Sequence, residues 1–505
     1  MERTGDWWEH PALLAALVVA AAAPLLWPAI PPLVDLPGHI GRLHVADAIA
    51  TSPYLKQWFA YRWALVGNLG VDVIAIPLGH LIGLELAVKA IMIAVAALTA
   101  ASMLWLAREI HGRVPPTAAF ALPLVLCFPF MFGFANYVLG IALMFGGLAL
   151  WVRLARLGRT RLRFACFVPI AFVTFVAHGV AWGMLGVAAF AFEWADLRRA
   201  GFSPGIALLR AAIAIVPLAL PGLLLVGWLG QHVEGPPLRW STISAKYYFA
   251  MAILRNDDEL IDVTSARLLY GLIVLGIGGL VLRVERRLGA AALALFVAFL
   301  IMPGTALGSF FSDMRIIPYA VALALLALTP KDGMERWRAP IAAAAILFAL
   351  ARFAVSGATL YRVDRTWSAQ LAALDHVSRG SRVFVLANVP CADDWRQPRV
   401  DHLGSMAIAR RDSFANGQWP MPGGRLLSIT YAPARNFALD PSQELRPARC
   451  RQPGSYSMAQ ATAQLPRAAF DYMWLIDVPP AQWPTEPWLA PVWRGRTGIL
   501  YRVAR

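Results

Sequence analysis

The chain has 505 residues, of which 59% are apolar and only 15% charged, against about 45–50% and about 25% in a soluble domain. That balance excludes an ordinary soluble enzyme, a disordered protein and a disulfide scaffold, and it leaves a polytopic α-helical membrane protein with a soluble part. The net charge of +15 raises nucleic acid as a partner, but the basic residues crowd short connections between apolar runs, so they read as membrane topology and no nucleic-acid partner is expected.

In chain order, apolar runs of roughly the 20 residues that cross a hydrocarbon core recur about eleven times. They lie roughly at 11–30, 86–107, 117–133, 137–152, 164–177, 180–194, 207–229, 268–282, 289–306, 315–329 and 339–357. The residues before the first run include Glu2, Asp6 and Glu9 in place of a basic cluster, so it reads as a retained span and not as a cleaved signal peptide. The stretch 164–194 is too long for one span and divides at His178–Gly179. Basic residues then fill five connections: Arg108 and Arg113; Arg153, Arg156, Arg159, Arg161 and Arg163; Arg198, Arg199 and Arg210; Arg283, Arg286 and Arg287; Lys331, Arg336 and Arg338. With eleven spans all five share one face, which the positive-inside rule makes cytoplasmic. The N-terminus is then inside a bacterial inner (cytoplasmic) membrane and the C-terminus outside.

Hydropathy falls after about residue 358. The tail holds strand-like runs at Arg382-Val-Phe-Val-Leu-Ala and Tyr472-Met-Trp-Leu-Ile-Asp, and an amphipathic stretch near 364–378. The expected division is a transmembrane part, 1–357, with a long first outer loop (31–85), and a soluble extracytoplasmic α/β domain, 358–505. Cys127 and Cys166 lie in apolar runs and read as small core residues. Cys391 and Cys450 are both in the tail, where an oxidising compartment would let them pair, though nothing in the sequence sets their separation.

Polar residues on the outer face are few. The first loop opens Pro31-Pro-Leu-Val-Asp-Leu-Pro-Gly-His-Ile-Gly-Arg42. A helix beginning near Pro37 puts His39 and Arg42 on one face, with Asp35 just before it, either as a helix cap or surface ion-pair partner or as a chemical group. Asn136 sits at one interhelical turn and His178 at another, where it reads as a packed histidine or as a ligand. The 231–267 loop carries His232, Glu234, Lys246 and Arg255, and Asp313 and Arg315 stand at the head of a late span. Ionisable groups at membrane depth are costly and mark function, and this set of carboxylate, imidazole and guanidinium groups suits a charged lipid headgroup. No phosphate-binding Walker loop, zinc-ligand spacing or nucleophile elbow is present.

The order of parts resembles the GT-C fold glycosyltransferases, polytopic enzymes that take a sugar from a polyprenyl-phosphate carrier. The resemblance rests on the early acidic residue Asp35, on the amphipathic Asn68-Leu-Gly-Val-Asp-Val-Ile-Ala-Ile-Pro-Leu-Gly-His, on Ile82-Gly-Leu-Glu-Leu-Ala-Val-Lys at a span start, and on the basic end Leu106-Ala-Arg-Glu-Ile-His-Gly. It implies an inverting transfer from a polyprenyl-phosphate-linked sugar, held in the lipid bilayer, to an unidentified extracytoplasmic acceptor. Asp35 would be the general base, with His39 and Arg42 orienting it or binding phosphate. Arg315 would be a second phosphate ligand, and Lys246 and Arg255 further ones. Asp313 and His178 would shape the acceptor pocket, with Asn136 as another substrate contact. A divalent metal is the one cofactor this reading admits, with no ligand set legible. Two other readings are a lipid-linked saccharide flippase, which would carry inverted repeats and mid-membrane polar groups that are not seen, and a non-catalytic GT-C-like assembly subunit.

Overall fold

Most of the first 371 residues are helices built from Ala, Leu, Val and Phe on nearly every face, the composition of segments whose surroundings are apolar all round. The computed structural model describes residues 6–224, 238–306, 309–419 and 426–504. His232, Glu234 and the end of the 207–229 run lie outside these described residues. Helix α1 (Pro11–Ala22) leads through the first loop, which is itself folded into α2 (Leu36–Ala48), strand β1 (Phe59–Tyr61) and α3 (Gly70–Ile82). Then come α4 (Leu84–His111), α5 (Ala135–Arg156), α6 (Thr160–Ala177), α7 (Gly179–Arg199), α8 (Pro204–Ala214), α9 (Ile243–Met251) and α10 (Glu259–Gly278). Strand β2 (Leu282–Val284), α11 (Arg286–Ile301), α12 (Ile317–Leu326), β3 (Leu328–Pro330) and α13 (Glu335–Leu371) complete this part.

The protein is multi-pass. Among the described residues six helices are long and apolar enough to cross a membrane, or seven if α8 and Val216–Leu224, bent by 57°, form one broken span. Among the described residues, the eleven apolar runs of the sequence therefore do not all form single helices of that length. Pro11–Leu25, Ala118–Phe132 and Ile317–Leu326 are apolar but short. Proline is the physical reason in two of them: Pro24 and Pro123 sit in 3-10 segments, where the missing N–H breaks the α ladder. The division at His178 is present, since its extended backbone (φ −166°, ψ 125°) ends α6 and opens α7.

Residue 358, where hydropathy falls, lies inside α13. That helix runs unbroken for 37 residues, about 55 Å at 1.5 Å per residue, far more than a ~30 Å hydrocarbon core. Hydropathy reports the surroundings of a helix and not its continuity, so the change of environment and the end of the element differ. The amphipathic stretch near 364–378 is the end of α13 and a 3-10 turn, Ala372–His376.

Beyond it lie β4 (Arg382–Asn388), α14 (Met406–Arg411), β5 (Phe414–Ala415), β6 (Leu427–Ile429), β7 (Glu444–Leu445), α15 (Met458–Gln464), β8 (Tyr472–Ile476), β9 (Leu489–Arg494) and β10 (Ile499–Val503). Strands β4 and β8, the two apolar runs seen in the sequence, pair in parallel at the centre of a mixed sheet ordered β5-β4-β8-β10-β9, with β7 beside β4. Their unbroken apolar character fits burial on both faces. The first loop and this sheet share one apolar core: β1 pairs antiparallel with β6, and Phe59 stacks on Phe414 at 5.9 Å. Arg410 on α14 grips Glu85 at the head of α4 with two bonds of 2.8 Å. Cys391 and Cys450 are joined by a disulfide with Cα atoms 5.7 Å apart. They are 59 residues apart in sequence, and closing a loop of that length stabilises by about 4 kcal/mol in the chain-entropy account.

Candidate functional site

Asp35 stands where the first loop turns into α2. Its carbonyl accepts the His39 N–H at 3.0 Å and its N–H donates to Phe132 O at 2.9 Å. That backbone contact is why residue 133 is glycine: with φ +93°, a Cβ there would lie 2.9 Å from Asp35 N. The Asp35 side chain occupies the N-cap position but makes no capping bond, so the helix-cap alternative from the sequence is not what this carboxylate does. Pro37 in the first turn presets the helix. Gly38 and Gly41 then form a bare face: a Cβ on Gly38 would enter the Trp419 ring, and one on Gly41 would meet Gln418 Nε2 at 2.7 Å. The 403–419 segment lies flat against α2 there, with Gln418 Nε2 donating to Gly38 O at 2.9 Å.

This docking brings groups to Asp35 that sequence reasoning missed. His402 Nε2 is 3.8 Å from Asp35 Oδ1 and 3.9 Å from Asp401 Oδ2. Its Nδ1 faces Gly417 O at 3.0 Å. Asp401 and Asp440 are bridged by Gln443, whose Nε2 donates to each at 2.8 and 2.7 Å. Burial drives the Asp35 carboxyl up to about 7, against the lowering influence of His402, while Asp401 adds to the rise and Arg315 opposes it. Burial alone would lower His402, but Asp401, Asp440 and Asp35 outweigh it and raise the imidazole to about 9. His39 is pushed down to about 3 by burial and then by Arg42; its ring meets Trp419 edge-on at 5.7 Å. The tail offers no local signal for His402, because Asp375-His376 repeats the same Asp-His pair and is exposed.

Arg315 lies across the Phe132–Phe134 turn from Asp35, its guanidinium 4.2 Å over the Phe134 ring. It meets His178 Nε2 at 3.0 Å and donates to Phe310 O at 3.2 Å, and its Nε has no partner among the described residues. His178 Nδ1 also accepts the Val180 N–H at 3.2 Å. A neutral imidazole has only one acceptor nitrogen, so Arg315 is incompletely satisfied.

The other sequence candidates have structural partners. Arg42 is fully buried and ion-paired with Asp72 of α3. Asn136 accepts from Val71 N at 2.6 Å and donates to Asn68 O and Asp72, clamping the start of α3. The three donors of Lys246 go to Phe299 O, Met302 O and Asp313 at 2.8–3.0 Å. Arg255 holds the carbonyls of Asp394, Trp395 and Arg396, and so ties that turn after β4 to the connection between α9 and α10. Asp35, His39 and Arg315 therefore lie close enough to influence one another's charge, while Arg42, Lys246, Arg255 and Asp313 have partners from the protein itself. Two cavities open elsewhere. One, of about 280 Å³, is lined by Ile30, Asp364, Trp367 and Arg410; an apolar one is lined by Trp27, Gly357 and Tyr361.

No protein-family model matches the chain, and no curated protein matches it. Among solved structures it is similar to ArnT from Cupriavidus metallidurans. The apo-state crystal structure has 16% identity, with 97% of each chain covered and a TM-score of 0.47. The crystal structure of that protein bound to undecaprenyl phosphate has 13% identity, with 98% of each chain covered and a TM-score of 0.47.

Proposed function

We propose that the chain is an integral-membrane glycosyltransferase of the GT-C type, moving a sugar with inversion from a polyprenyl-phosphate carrier to an extracytoplasmic acceptor. The observation that carries this reading is that Asp35 and Arg315, both buried, flank the Phe132–Phe134 turn without bonding to each other. Asp35 is a carboxylate whose side chain accepts no hydrogen bond among the described residues. Arg315 is a guanidinium near enough to influence its charge, and among the described residues no carboxylate forms an ion pair with it. In the reaction the acceptor O–H or N–H attacks the anomeric carbon, its proton passes to Asp35, and the bond from that carbon to the phosphate oxygen breaks. The lipid phosphate leaves as an anion and needs charge stabilisation more than protonation, which Arg315 supplies through a charge-assisted contact. His39 keeps Trp419 and the 403–419 segment against α2.

The assay is consumption of polyprenyl-phosphate-linked hexose or pentose by the purified chain in vesicles with membrane extract as acceptor. Free polyprenyl phosphate should accumulate faster than with the Asp35→Asn variant. Equal rates for every donor class would overturn the reading.

The same proposal takes each of the eleven apolar runs as one crossing, whether a single helix or a broken one; the five basic connections then share one face, which puts the N-terminus inside the inner membrane and the C-terminal sheet outside. With thiols alkylated at lysis, non-reduced peptide mass spectrometry should find Cys391 linked to Cys450 and Cys127 and Cys166 alkylated. Alkylated Cys391 and Cys450 in native membranes would put the sheet on the reducing side.

A further inference from the structure

The segment seated on α2 carries a set of side chains that the transfer reading does not use. The ligand atoms of Asp401, His402 and Asp440 all lie within 4.8 Å of one another. Asp401 and His402 are both more than nine-tenths buried, and Asp440 is half-buried. The 3.8 and 3.9 Å distances from His402 Nε2 to Asp35 and Asp401 are too long for hydrogen bonds. Two ligands that share one cation at bonds of about 2.0–2.2 Å lie about 3–3.6 Å apart, so small side-chain shifts of a few tenths of an ångström would close these gaps onto an ion.

The surroundings are those of a ligand shell. His402 presents Nδ1 to the Gly417 carbonyl at 3.0 Å, which fixes one proton there; a cation would displace the other proton from Nε2, the nitrogen that faces the carboxylates, and metal-bound histidines are held in this way. Gln443 donates to one oxygen of Asp401 and one of Asp440, leaving the other oxygen of each free to coordinate. Around the same spot, Ser405 Oγ, Gln418 Oε1 and Gln443 Oε1 are buried, and none has a partner among the described residues. A Cβ on Gly417 would touch both the Gln443 side chain, at 3.5 Å, and Ser405 Oγ, at 3.8 Å. Buried polar atoms without partners call for an ion or water. Three carboxylates, Asp35, Asp401 and Asp440, surround one imidazole. Glu444 nearby is already neutralised by Arg446.

We infer that Asp401, His402 and Asp440 bind one divalent cation of the manganese–zinc class, at the seam between α2 and the C-terminal sheet and beside Asp35. One imidazole with carboxylates and no thiolate favours Mn²⁺ or Zn²⁺ over Ca²⁺ and Mg²⁺, which prefer all-oxygen shells, and over Cu(I). The cation would staple the 401–440 segment to α2 and offset the carboxylate charge beside the candidate base. The inference stands on these side chains and does not depend on the glycosyltransferase reading.

The test uses the full-length protein in detergent, stripped with chelator and titrated with Mn²⁺ alone by electron paramagnetic resonance. About one Mn²⁺ should bind per chain, be displaced by Zn²⁺ and raise the melting temperature, since it binds only the folded state. Gln443→Met, which removes a supporting bond, should weaken binding about 10–100-fold, and His402→Gln at least as much. Wild-type protein that binds neither metal, with the carboxylates sharing protons only, overturns the inference whatever the variants do. So does a His402→Gln protein that melts normally and binds Mn²⁺ as tightly as wild type.

Discussion

Asp35→Asn lowers sugar transfer by about 10²–10⁴-fold, the usual contribution of a positioned general base, and leaves the fold intact. Asparagine has the same shape and cannot take a proton. The fold loses little, because the Asp35 side chain makes no capping bond and the backbone bonds to Phe132 and His39 are kept. Donor binding persists, since Arg315 and the apolar helices are untouched. The rate therefore falls in kcat more than in KM, the signature of an interaction made in the transition state. Single-turnover transfer by the purified variant measures this, and a wild-type rate removes Asp35 from the chemistry. Mn²⁺ titration of the same variant separates the two roles open to this carboxylate. Retained metal with lost transfer assigns the defect to the base, whereas lost metal makes Asp35 a ligand.

The parts of this site that were legible in the sequence are those whose reason is local. Asp35 followed by Pro37 marks a helix start after a span. The split at His178 follows from the length a bilayer allows, and β4 and β8 announce themselves as unbroken apolar runs. What was illegible is what depends on distant partners. Gly38 and Gly41 look like helix-weakening residues until Gln418 and Trp419, about 380 residues further on, come to lie on them. His402 belongs to the site only because the sheet docks on the first loop, through a three-residue pairing of β1 with β6 that no periodicity could announce. Charge misled in a consistent way. Arg42, Lys246 and Arg255 were legible as cations at a membrane surface, but each is buried with a partner from another element. A buried cation must be paired, and the sequence does not say with what.

Arg42 gives the sharpest consequence. It is fully buried on α2 and ion-paired with Asp72 on α3. Asp72 also accepts from Asn136 at 2.9 Å, and His39 Nδ1 lies 3.4 Å from Arg42. Removing one partner leaves the other charge buried and alone, so Arg42→Met should cost about 3–5 kcal/mol. Adding Asp72→Asn removes the second charge and keeps an acceptor for Asn136. The double variant should recover more than half of the loss, because a buried pair and its neutral replacement differ far less than a pair and a half-pair. Denaturant unfolding of the two singles and the double in detergent closes the cycle, and a double variant as unstable as the sum of the singles would refute the pairing. Transfer activity reads the other half of the argument. If Arg42 only fixes α2 beneath Asp35, activity returns with stability in the double variant. A stable double variant with weakened donor binding would instead make Arg42 the phosphate ligand that its place in the sequence suggests.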